Sequence, residues 1–434
     1  MIWNEKFEKM DREALGQVQL ERLQATLNRV VRNVAFSRMA LSREGAGIGD
    51  VRTLADLGRL PFTTKEDLRK SYPYDMFAVP LRDIVRIQST SGTTGSPIVV
   101  GYTRNDLRTW SECVARTLAA GGVTEHDVIQ VAFTYGLFSG GLGFHYGAER
   151  IGASVIPAST GSAQKQALIM RDFKTTALAC TPGYAVALAA ALAEIGAPVE
   201  KLSLRVGFFG AEPWSEGLRG QIEGSLHITA LDSYGLTEVI GPGVSFECEA
   251  RNGLHVNEDH FIVETIDPRT LAPVPAGAEG ELVFTTITKE GFPLVRYRTG
   301  DLGVLSPEPC PCGRTLIRMS RVLGRIDDLI IMGASKVFPS QIEQIILGVP
   351  GLEPHYEIVL DREAGIDTME VRVEISEAMP GMDEMKSLER AKERVAQGID
   401  TAVGIKAKVT LVEPRKIARQ TEGKMRRVVD RRRM

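Results

Sequence analysis

The chain has 434 residues, of which 43% are hydrophobic and 25% charged, and its formal net charge is −3. This length exceeds what one hydrophobic core usually supports, so we expect two or more domains. The nearly balanced charge excludes a general attraction to nucleic acid, and no unbroken run of about 18 apolar residues predicts a membrane span. The N-terminus lacks a signal-peptide pattern, so we expect an enzyme-sized protein of the cytoplasm with neither nucleic acid nor membrane as a partner.

The predicted elements change character along the chain. Residues 5–41 carry apolar side chains at helical spacing and predict helices packed on a core. Between residues 84 and 209, helical stretches alternate with short apolar runs, which is typical of an α/β region with mainly parallel strands. Short strand-like segments from Phe261 to Leu305 predict a β-rich subdomain. A smaller α+β unit follows Gly324 and Arg325.

These changes predict the domain organisation. We expect a large N-terminal domain over residues 1–326, whose β-rich subdomain covers about 245–323. We expect a mobile C-terminal domain over residues 327–434.

A loop rich in hydroxyl groups and glycine follows the strand candidate at residues 84–87. Glycine lets backbone N–H groups turn toward an anion, and Ser and Thr hydroxyls add donors, so the loop is suited to the phosphates of ATP. It lacks the Lys-Ser or Lys-Thr of a Walker A loop, and an ordinary surface loop is the alternative. The residues expected to contact ATP here are Ser89, Ser91, Gly92, Thr93, Thr94 and Gly95.

Four further motifs follow in order along the chain. They are Asp232-Ser233-Tyr234-Gly235-Leu236-Thr237-Glu238, Tyr297-Arg298-Thr299-Gly300-Asp301, Gly324-Arg325-Ile326-Asp327-Asp328 and Glu422-Gly423-Lys424. The ordered set resembles the adenylate-forming superfamily of acyl-CoA synthetases. The segments Gly210-Ala211-Glu212-Pro213-Trp214 and Tyr135-Gly136-Leu137-Phe138 look like those of phenylacetate-CoA ligases.

This resemblance covers nearly the whole chain and implies a reaction. An aryl acid, with phenylacetate the best candidate, would be ligated to coenzyme A through an acyl-AMP intermediate, with release of AMP and pyrophosphate. ATP and Mg²⁺ would be required, and the resemblance implies that the protein is a homodimer. Indoleacetate, benzoate or a branched acid, a carrier protein as acyl acceptor, and a non-catalytic scaffold are the alternatives.

The resemblance also implies roles for single residues. Glu238 matches the Mg²⁺ ligand, Asp301 the carboxylate that binds the ribose hydroxyls, and Lys424 the lysine that contacts the acid and the α-phosphate during adenylation. Asp327 matches the hinge between the domains. Taken singly, each has an ordinary alternative as a turn, linker or solvated residue. Further contacts to ATP or AMP are expected from Gly210, Ala211, Glu212, Asp232, Tyr234, Gly235, Thr237 and Arg325, with Tyr234 stacking near the adenine.

The acid pocket is expected where aromatic walls meet glycine. Aromatic side chains suit an aryl group, and glycine leaves space for it. The same residues are also typical of the end of a core strand. The acid-binding candidates are Tyr135, Gly136, Phe138, Gly140 and Gly141.

The five cysteines fall into two groups. Cys113 and Cys180 lie in apolar surroundings and are expected to be buried thiols. The other three lie in turn-rich segments, and with one histidine they form a Cys3His set suited to a closed structural Zn²⁺ site. Free thiols are the alternative. The expected zinc ligands are Cys248, His255, Cys310 and Cys312.

Overall fold

The computed structural model describes residues 1–43, 45, 47–90, 97–332, 335–363, 366–376, 385–414, 416–417 and 427–432. Its α-helices are α1 (Glu5–Glu8), α2 (Arg12–Asn33), α3 (Ala35–Arg43), α4 (Lys65–Lys70), α5 (Arg104–Ala120), α6 (Ser139–Ile151), α7 (Ala163–Asp172), α8 (Pro182–Glu194), α9 (Glu216–Leu226), α10 (Pro339–Leu347) and α11 (Met385–Val403).

Its strands are β1 (Arg86–Ser89), β2 (Val99–Tyr102), β3 (Val128–Val131), β4 (Ser154–Ile156), β5 (Ala177–Cys180), β6 (Val206–Gly210), β7 (Thr229–Leu236), β8 (Gly241–Glu247), β9 (Leu254–Val256), β10 (Phe261–Ile266), β11 (Glu279–Thr286), β12 (Tyr297–Ser306), β13 (Arg318–Met319), β14 (Gly324–Arg325), β15 (Ile330–Met332), β16 (Ser335–Val337), β17 (Leu352–Glu363), β18 (Ile366–Ile375), β19 (Lys408–Val412) and β20 (Val428–Asp430).

One large mixed sheet forms the centre of the N-terminal part. Its strand order is β10-β11-β12-β13-β9-β8-β7-β6-β5-β3-β4, and β14 pairs with β12. Strands β3 to β7 are parallel, whereas β7 pairs antiparallel with β8. Strands β5 and β6 are buried along their whole length, as expected of parallel strands covered by helices on both faces.

Helices flank the parallel strands and begin at recognisable caps. Thr103 caps α5 and accepts from the N–H of Asp106, while the Asp106 carboxylate accepts from the N–H of Thr103 at 2.8 Å. Thr181 caps α8, which opens with Pro182 in its first turn. Such caps satisfy backbone N–H groups that the first turn of a helix leaves unpaired, so they fix the residue at which each helix begins.

The C-terminal part has its own sheet and core. The sheet order is β19-β18-β17-β20. Helices α10 and α11 cover it with a core that includes Ile342, Val371 and Val395. Helix α10 also contacts α9, where the partly buried Leu347 packs against a core cluster of the N-terminal part.

The predicted fold class is confirmed, because a large sheet-rich N-terminal region is followed by a smaller α+β region. The domain boundary near residue 326 stays a prediction. The sequence missed β7 and β8 as strands. A turn was the ordinary alternative for Asp301, whereas this residue lies inside β12. Gly300, the residue before it, has a φ of 74°, so the main chain of β12 departs from regular strand geometry at a position where glycine is favoured. Within the described residues, no helix combines the length and hydrophobicity that crossing a membrane requires.

Candidate active site

A cleft of about 1110 Å³ opens at the carboxyl ends of the parallel strands. Its walls include Phe133 after β3, Tyr184 after β5, Ala211 after β6 and the end of β7. His355 and Glu374 are among the residues of the C-terminal part that also line it. Ligands of open α/β sheets bind at this edge, and pockets of about 300–1,000 Å³ hold drug-sized ligands. The cleft is therefore large enough for a nucleotide together with a small acid.

Many of the residues singled out in the sequence meet in this cleft. Those that line it are Phe138, Gly140, Gly210, Ala211, Glu212, Asp232, Tyr234, Gly235, Thr237, Glu238, Asp301 and Arg325. Ser89 is buried at the end of β1, where its hydroxyl donates to the carbonyl of Thr90 at 2.9 Å, and Thr90 lines the cleft. Ser91, Gly92, Thr93, Thr94, Gly95 and Lys424 lie outside the described residues.

Asp301 is held on both carboxylate oxygens. Tyr234 Oη donates to Asp301 Oδ2 at 2.8 Å, and Arg325 Nε lies 3.2 Å from Oδ1. The pairing of β12 with β14 places Arg325 directly opposite Asp301, so the ion pair follows from strand register. Burial, and next the charge of Asp301, raise the pKa of Tyr234, so its phenol stays a donor. The carboxylate is thereby oriented in the cleft wall.

Tyr234 itself lies flat against the protein core. Its ring stacks on Phe284 with centroids 5.9 Å apart, and its hydroxyl is engaged by Asp301. The ring lines the cleft, and its stacking near the adenine stays a prediction.

Glu238 lies in the tight turn between β7 and β8. The side chain is buried, and Tyr297 Oη donates to Glu238 Oε1 at 3.3 Å. The preceding Thr237 hydroxyl lies 2.9 Å from the hydroxyl of Ser139, at the start of α6. Glu238 lines the cleft, and its carboxylate is the kind of oxygen ligand that Mg²⁺ prefers.

Asp232 has a different environment, because it forms an ion pair with Arg321, a residue that no sequence motif indicated. Arg321 Nε lies 3.0 Å from Asp232 Oδ2, and its guanidinium stacks over the Trp214 ring at 4.4 Å. Burial raises the pKa of Asp232 to about 6, although Arg321 opposes the shift. No motif or periodicity marks Arg321, since it follows the two-residue strand β13.

The Gly210–Glu212 segment forms the floor of the cleft. A Cβ on Gly210 would lie 2.2 Å from the carbonyl oxygen of Ser233, so the close approach of β6 to β7 requires glycine. Ala211 has a positive φ of 70°, which turns the chain after the strand. Glu212 Oε1 then accepts from the N–H of Gly183 at 3.0 Å and ties this turn to α8.

The aromatic end of the cleft lies next to α6. Phe133 and Phe144 stack with ring centroids 5.5 Å apart, and both line the cleft with Phe138 and Gly140. Tyr135, Gly136 and Gly141 are not part of the lining.

Tyr135 instead faces α6. Tyr135 Oη lies 3.2 Å from His145 Nδ1, and His145 Nε2 lies 3.1 Å from Glu149 Oε1. A direct contact of Tyr135, Gly136 or Gly141 with the acid stays a prediction.

The cysteine and histidine candidates come together outside the cleft. The ligand atoms of Cys248, His255, Cys310 and Cys312 all lie within 4.8 Å of one another. Cys248 Sγ is 3.7 Å from Cys310 Sγ, and Cys312 Sγ is 3.4 Å from His255 Nε2. Ligands of one tetrahedral Zn²⁺, each about 2.0–2.3 Å from the ion, are separated by about 3.5–3.8 Å. The donor set and its spacing therefore fit zinc.

Comparison with known proteins shows the family. The model of the AMP-binding enzyme family matches residues 19–288, and that of the AMP-binding enzyme C-terminal domain matches residues 334–432. The chain is 44% identical over 442 residues to the phenylacetate-coenzyme A ligase of Thermus thermophilus, covering 99% of both chains. It is 44% identical over 435 residues to that of Escherichia coli, covering 99% of this chain and 98% of the relative.

Solved structures extend the comparison to conformation. The 2-hydroxyisobutyryl-CoA ligase in the post-adenylation state, in complex with 2-HIB-AMP, has a TM-score of 0.92 at 29% identity and covers 100% of this chain and 93% of that one. The same ligase with 2-HIB-AMP and CoA in the thioesterification state has a TM-score of 0.74 at 30% identity, covering 99% and 92%. The arrangement of this chain is therefore more similar to the post-adenylation state.

The predicted family is thus confirmed by sequence along nearly the full length and by fold. From this agreement it follows that the chain belongs to the phenylacetate-coenzyme A ligase family of AMP-binding enzymes.

Proposed function

We propose that this chain ligates phenylacetate to coenzyme A, using ATP and Mg²⁺. Its membership of the family makes it an ATP-dependent acid-CoA ligase that works through an acyl-adenylate. The observation that carries phenylacetate as the acid is the 44–45% identity to four phenylacetate-coenzyme A ligases over at least 97% of this chain.

The reaction has two half-reactions. In the first, a carboxylate oxygen of the acid attacks the α-phosphorus of ATP, the bond from that phosphorus to the bridging oxygen breaks, and pyrophosphate leaves. In the second, the thiolate of coenzyme A attacks the acyl carbon and AMP leaves. Negative charge accumulates around the α-phosphorus in the first step, so the protein must supply positive charge there.

The roles of the cleft residues follow from this chemistry. Asp301, oriented by Tyr234 and Arg325, would accept hydrogen bonds from the ribose hydroxyls. Glu238 would hold Mg²⁺, which neutralises phosphate charge when bound. Lys424 would supply charge at the α-phosphate, and the loop of residues 89–95 would bind the phosphates. These assignments rest on motif position and, for the described residues, on a shared cleft.

The aromatic end of the cleft supports an aryl acid. Phe133, Phe138 and Phe144 offer ring faces, and Gly140 leaves room beside Phe133. In such a pocket, one methylene changes the free energy that discriminates between two acids by only about 1–3 kcal/mol. Indoleacetate and benzoate are therefore the competitors to test.

We also propose the division into domains at residues 326 and 327, with Asp327 as the hinge. Asp327 lies in the short 3₁₀ turn Ile326–Asp328, between the last strand that joins the central sheet and the separate C-terminal core. A structural Zn²⁺ held by Cys248, His255, Cys310 and Cys312 completes the site assignments. A homodimer in the cytoplasm is the further expectation, which sedimentation and cell fractionation would test.

The first experiment measures pyrophosphate release from ATP and Mg²⁺ with phenylacetate, indoleacetate and benzoate, with and without coenzyme A. Turnover with phenylacetate that requires coenzyme A, with phenylacetyl-CoA identified by mass, is the expected result. Preference for another acid would overturn the substrate. ATP–pyrophosphate exchange without any coenzyme A thioester would point to a carrier protein as acceptor, and no turnover with any acid would leave the scaffold alternative.

A further inference from the structure

Lys289 is a buried lysine that has no role in either of the two half-reactions. It follows β11, and only 2% of its surface is exposed. Its Nζ donates to the carbonyl oxygens of Glu238 at 3.0 Å and Val239 at 2.7 Å. The ammonium also lies over the rings of Tyr102 at 4.9 Å and Phe292 at 5.3 Å. A lysine without contact to solvent is thus directed at the turn that carries Glu238.

A second buried side chain binds the rest of this turn. Tyr102 Oη lies 3.3 Å from the carbonyl oxygen of Thr237 and 3.1 Å from that of Ile240. Stacking of Tyr102 on Trp110, with centroids 5.2 Å apart, fixes the ring. The four successive carbonyls from Thr237 to Ile240 therefore all lie against Lys289 or Tyr102, with the single Tyr102 proton shared between the two outer carbonyls, and these contacts hold the main chain of the turn.

The main chain around Lys289 is anchored as well. The buried carboxylate of Asp106 accepts from the N–H of Glu290 at 2.6 Å and from that of Gly291 at 2.9 Å. The same aspartate is the third residue of α5 and completes the capping box with Thr103, so Lys289 projects from a loop fixed to the start of that helix. Lys289 and the loop that carries it therefore link the start of α5 to the Thr237–Ile240 turn through hydrogen bonds at both ends.

Stability alone does not explain a lysine at this position. Burial lowers the pKa of Lys289 to about 7, while the carboxylates of Asp106 and Glu238 oppose the shift. An apolar side chain of similar length would fill the same space without the desolvation penalty of an ammonium.

We propose that Lys289 is a positioning residue, which fixes the main chain of the Thr237–Ile240 turn so that the Glu238 carboxylate is presented to Mg·ATP. The inference rests on the proposed role of Glu238 and deepens it. Tyr297, which donates to Glu238 Oε1, orients the carboxylate itself, whereas Lys289 orients the backbone from which it projects.

The test is Lys289→Met, which keeps the length of the side chain and removes the donors. Loss of the two hydrogen bonds to the turn predicts that the Mg²⁺ concentration for half-maximal pyrophosphate release rises about 10- to 100-fold. The KM for phenylacetate should stay unchanged, and the exposed Lys201→Met serves as control. A folded Lys289→Met protein with unchanged Mg²⁺ dependence would overturn the proposal.

A double-mutant cycle separates the inference from the function on which it rests. Glu238→Gln alone should raise the Mg²⁺ requirement, and adding Lys289→Met should then have no further effect, because the lysine acts through Glu238. If Glu238→Gln changes nothing, the Mg²⁺ role of Glu238 is wrong; if it acts and Lys289→Met does not, only the positioning role is wrong. Additive effects would also overturn that role.

If Lys289→Met does not fold, Tyr102→Phe tests the same turn, since it removes the donor for Thr237 and Ile240 and keeps the ring. Binding of Mn²⁺ with a non-hydrolysable ATP analogue, followed by electron paramagnetic resonance, gives a readout without turnover. Weaker Mn²⁺ binding supports the fixed turn, and unchanged binding contradicts it.

Discussion

Three carboxylates in the cleft differ in their partners. Asp301 is paired with Arg325 and Asp232 with Arg321. Glu238 accepts from the Tyr297 hydroxyl instead, and no ion pair involves its carboxylate in the described part of the chain. A cation binds best where a carboxylate is not already neutralised by an arginine. The pairing pattern therefore favours Glu238 over Asp232 and Asp301 as the Mg²⁺ ligand.

Lys424→Ala tests the charge proposed for the first half-reaction. Removing a cation that stabilises the transition state should slow adenylation on the order of 10²–10³-fold, by analogy with the loss of one oxyanion donor. Thioesterification of preformed phenylacetyl-AMP should continue, because that step has no pentavalent phosphorus. Both half-reactions are measured separately, by pyrophosphate exchange and by coenzyme A consumption. Lys416→Ala, at an exposed lysine of the same region, should affect neither. Equal loss of both half-reactions in Lys424→Ala would contradict the assignment.

At the scale of single residues, the motifs predicted many residues of the cleft but missed two residues that support it. Asp301, Glu238 and Gly210 stand in recognisable motifs and meet in the cleft. Arg321 and Lys289 carry no sequence signal, because their partners are 89 and 51 residues away along the chain.

At the scale of elements, the Cys and His cluster joins two segments of the antiparallel region. His255 is in β9, which pairs with β13 at Arg318, and Cys310 and Cys312 precede β13. A metal ion bound there would link the β8–β9 region to the segment before β13.

Cys310→Ser should therefore lose zinc and stability together. The purified protein is expected to contain about one Zn²⁺ per chain, and the variant should contain much less and unfold several degrees lower. Zinc by atomic emission and thermal unfolding are the measurements. Cys180→Ala, at a buried cysteine outside the cluster, is the control that should keep its zinc. A metal-free protein of unaltered stability would favour free thiols.

His260, which immediately precedes β10, predicts how the stability of the protein depends on pH. The ring is buried; its Nδ1 lies 3.0 Å from Thr288 Oγ1 and its Nε2 lies 3.2 Å from Asp259 Oδ2. Burial lowers the pKa of His260 from 6.5 to about 4, even though Asp259 opposes the shift. The unfolded chain binds a proton that the folded chain does not, so this stabilisation is complete above pH 6.5 and is lost as pH falls toward 4.

His260→Gln should flatten the acid side of the stability profile. The loss in unfolding free energy between those pH values should shrink by on the order of 2–3 kcal/mol relative to the parent protein. Urea unfolding at several pH values measures it. Exposed His126→Gln is the matched control and should leave the profile unchanged. Parallel profiles for the parent and His260→Gln would show that the histidine does not titrate on unfolding.

At the scale of the whole molecule, the C-terminal region is held against the N-terminal region in one arrangement. A Cβ on Gly217 of α9 would meet the Leu347 side chain at 3.3 Å, so α9 and α10 are closely packed. The Ser340 hydroxyl, in the first turn of α10, also donates to the carbonyl oxygen of Leu323 in the N-terminal region at 3.3 Å. The similarity to the post-adenylation state agrees with these contacts, whereas the second half-reaction is expected to need another arrangement.

Asp327→Pro tests whether rotation at this position links the two half-reactions. Proline holds φ near −65°, which a 3₁₀ turn tolerates but a hinge rotation does not. Adenylation should persist while formation of the coenzyme A thioester is slowed, as followed by single-turnover assays of each step. Asp327→Ala removes the carboxylate without restricting φ and should keep both steps. Unchanged overall turnover in Asp327→Pro would place the hinge elsewhere.

The sequence by itself determined the family and the α/β class, and it predicted many of the residues that meet in the cleft, because the motifs are local and their order can be recognised along the chain. It also grouped Cys248, His255, Cys310 and Cys312 correctly, since few residue types ligate metals. Only the tertiary structure decided that β7 and β8 are strands, that Asp301 lies inside β12, and that Arg321 and Lys289 support the cleft. The reason is that strand pairing and buried ion pairs join residues far apart in sequence, and no local pattern specifies which distant segments will meet.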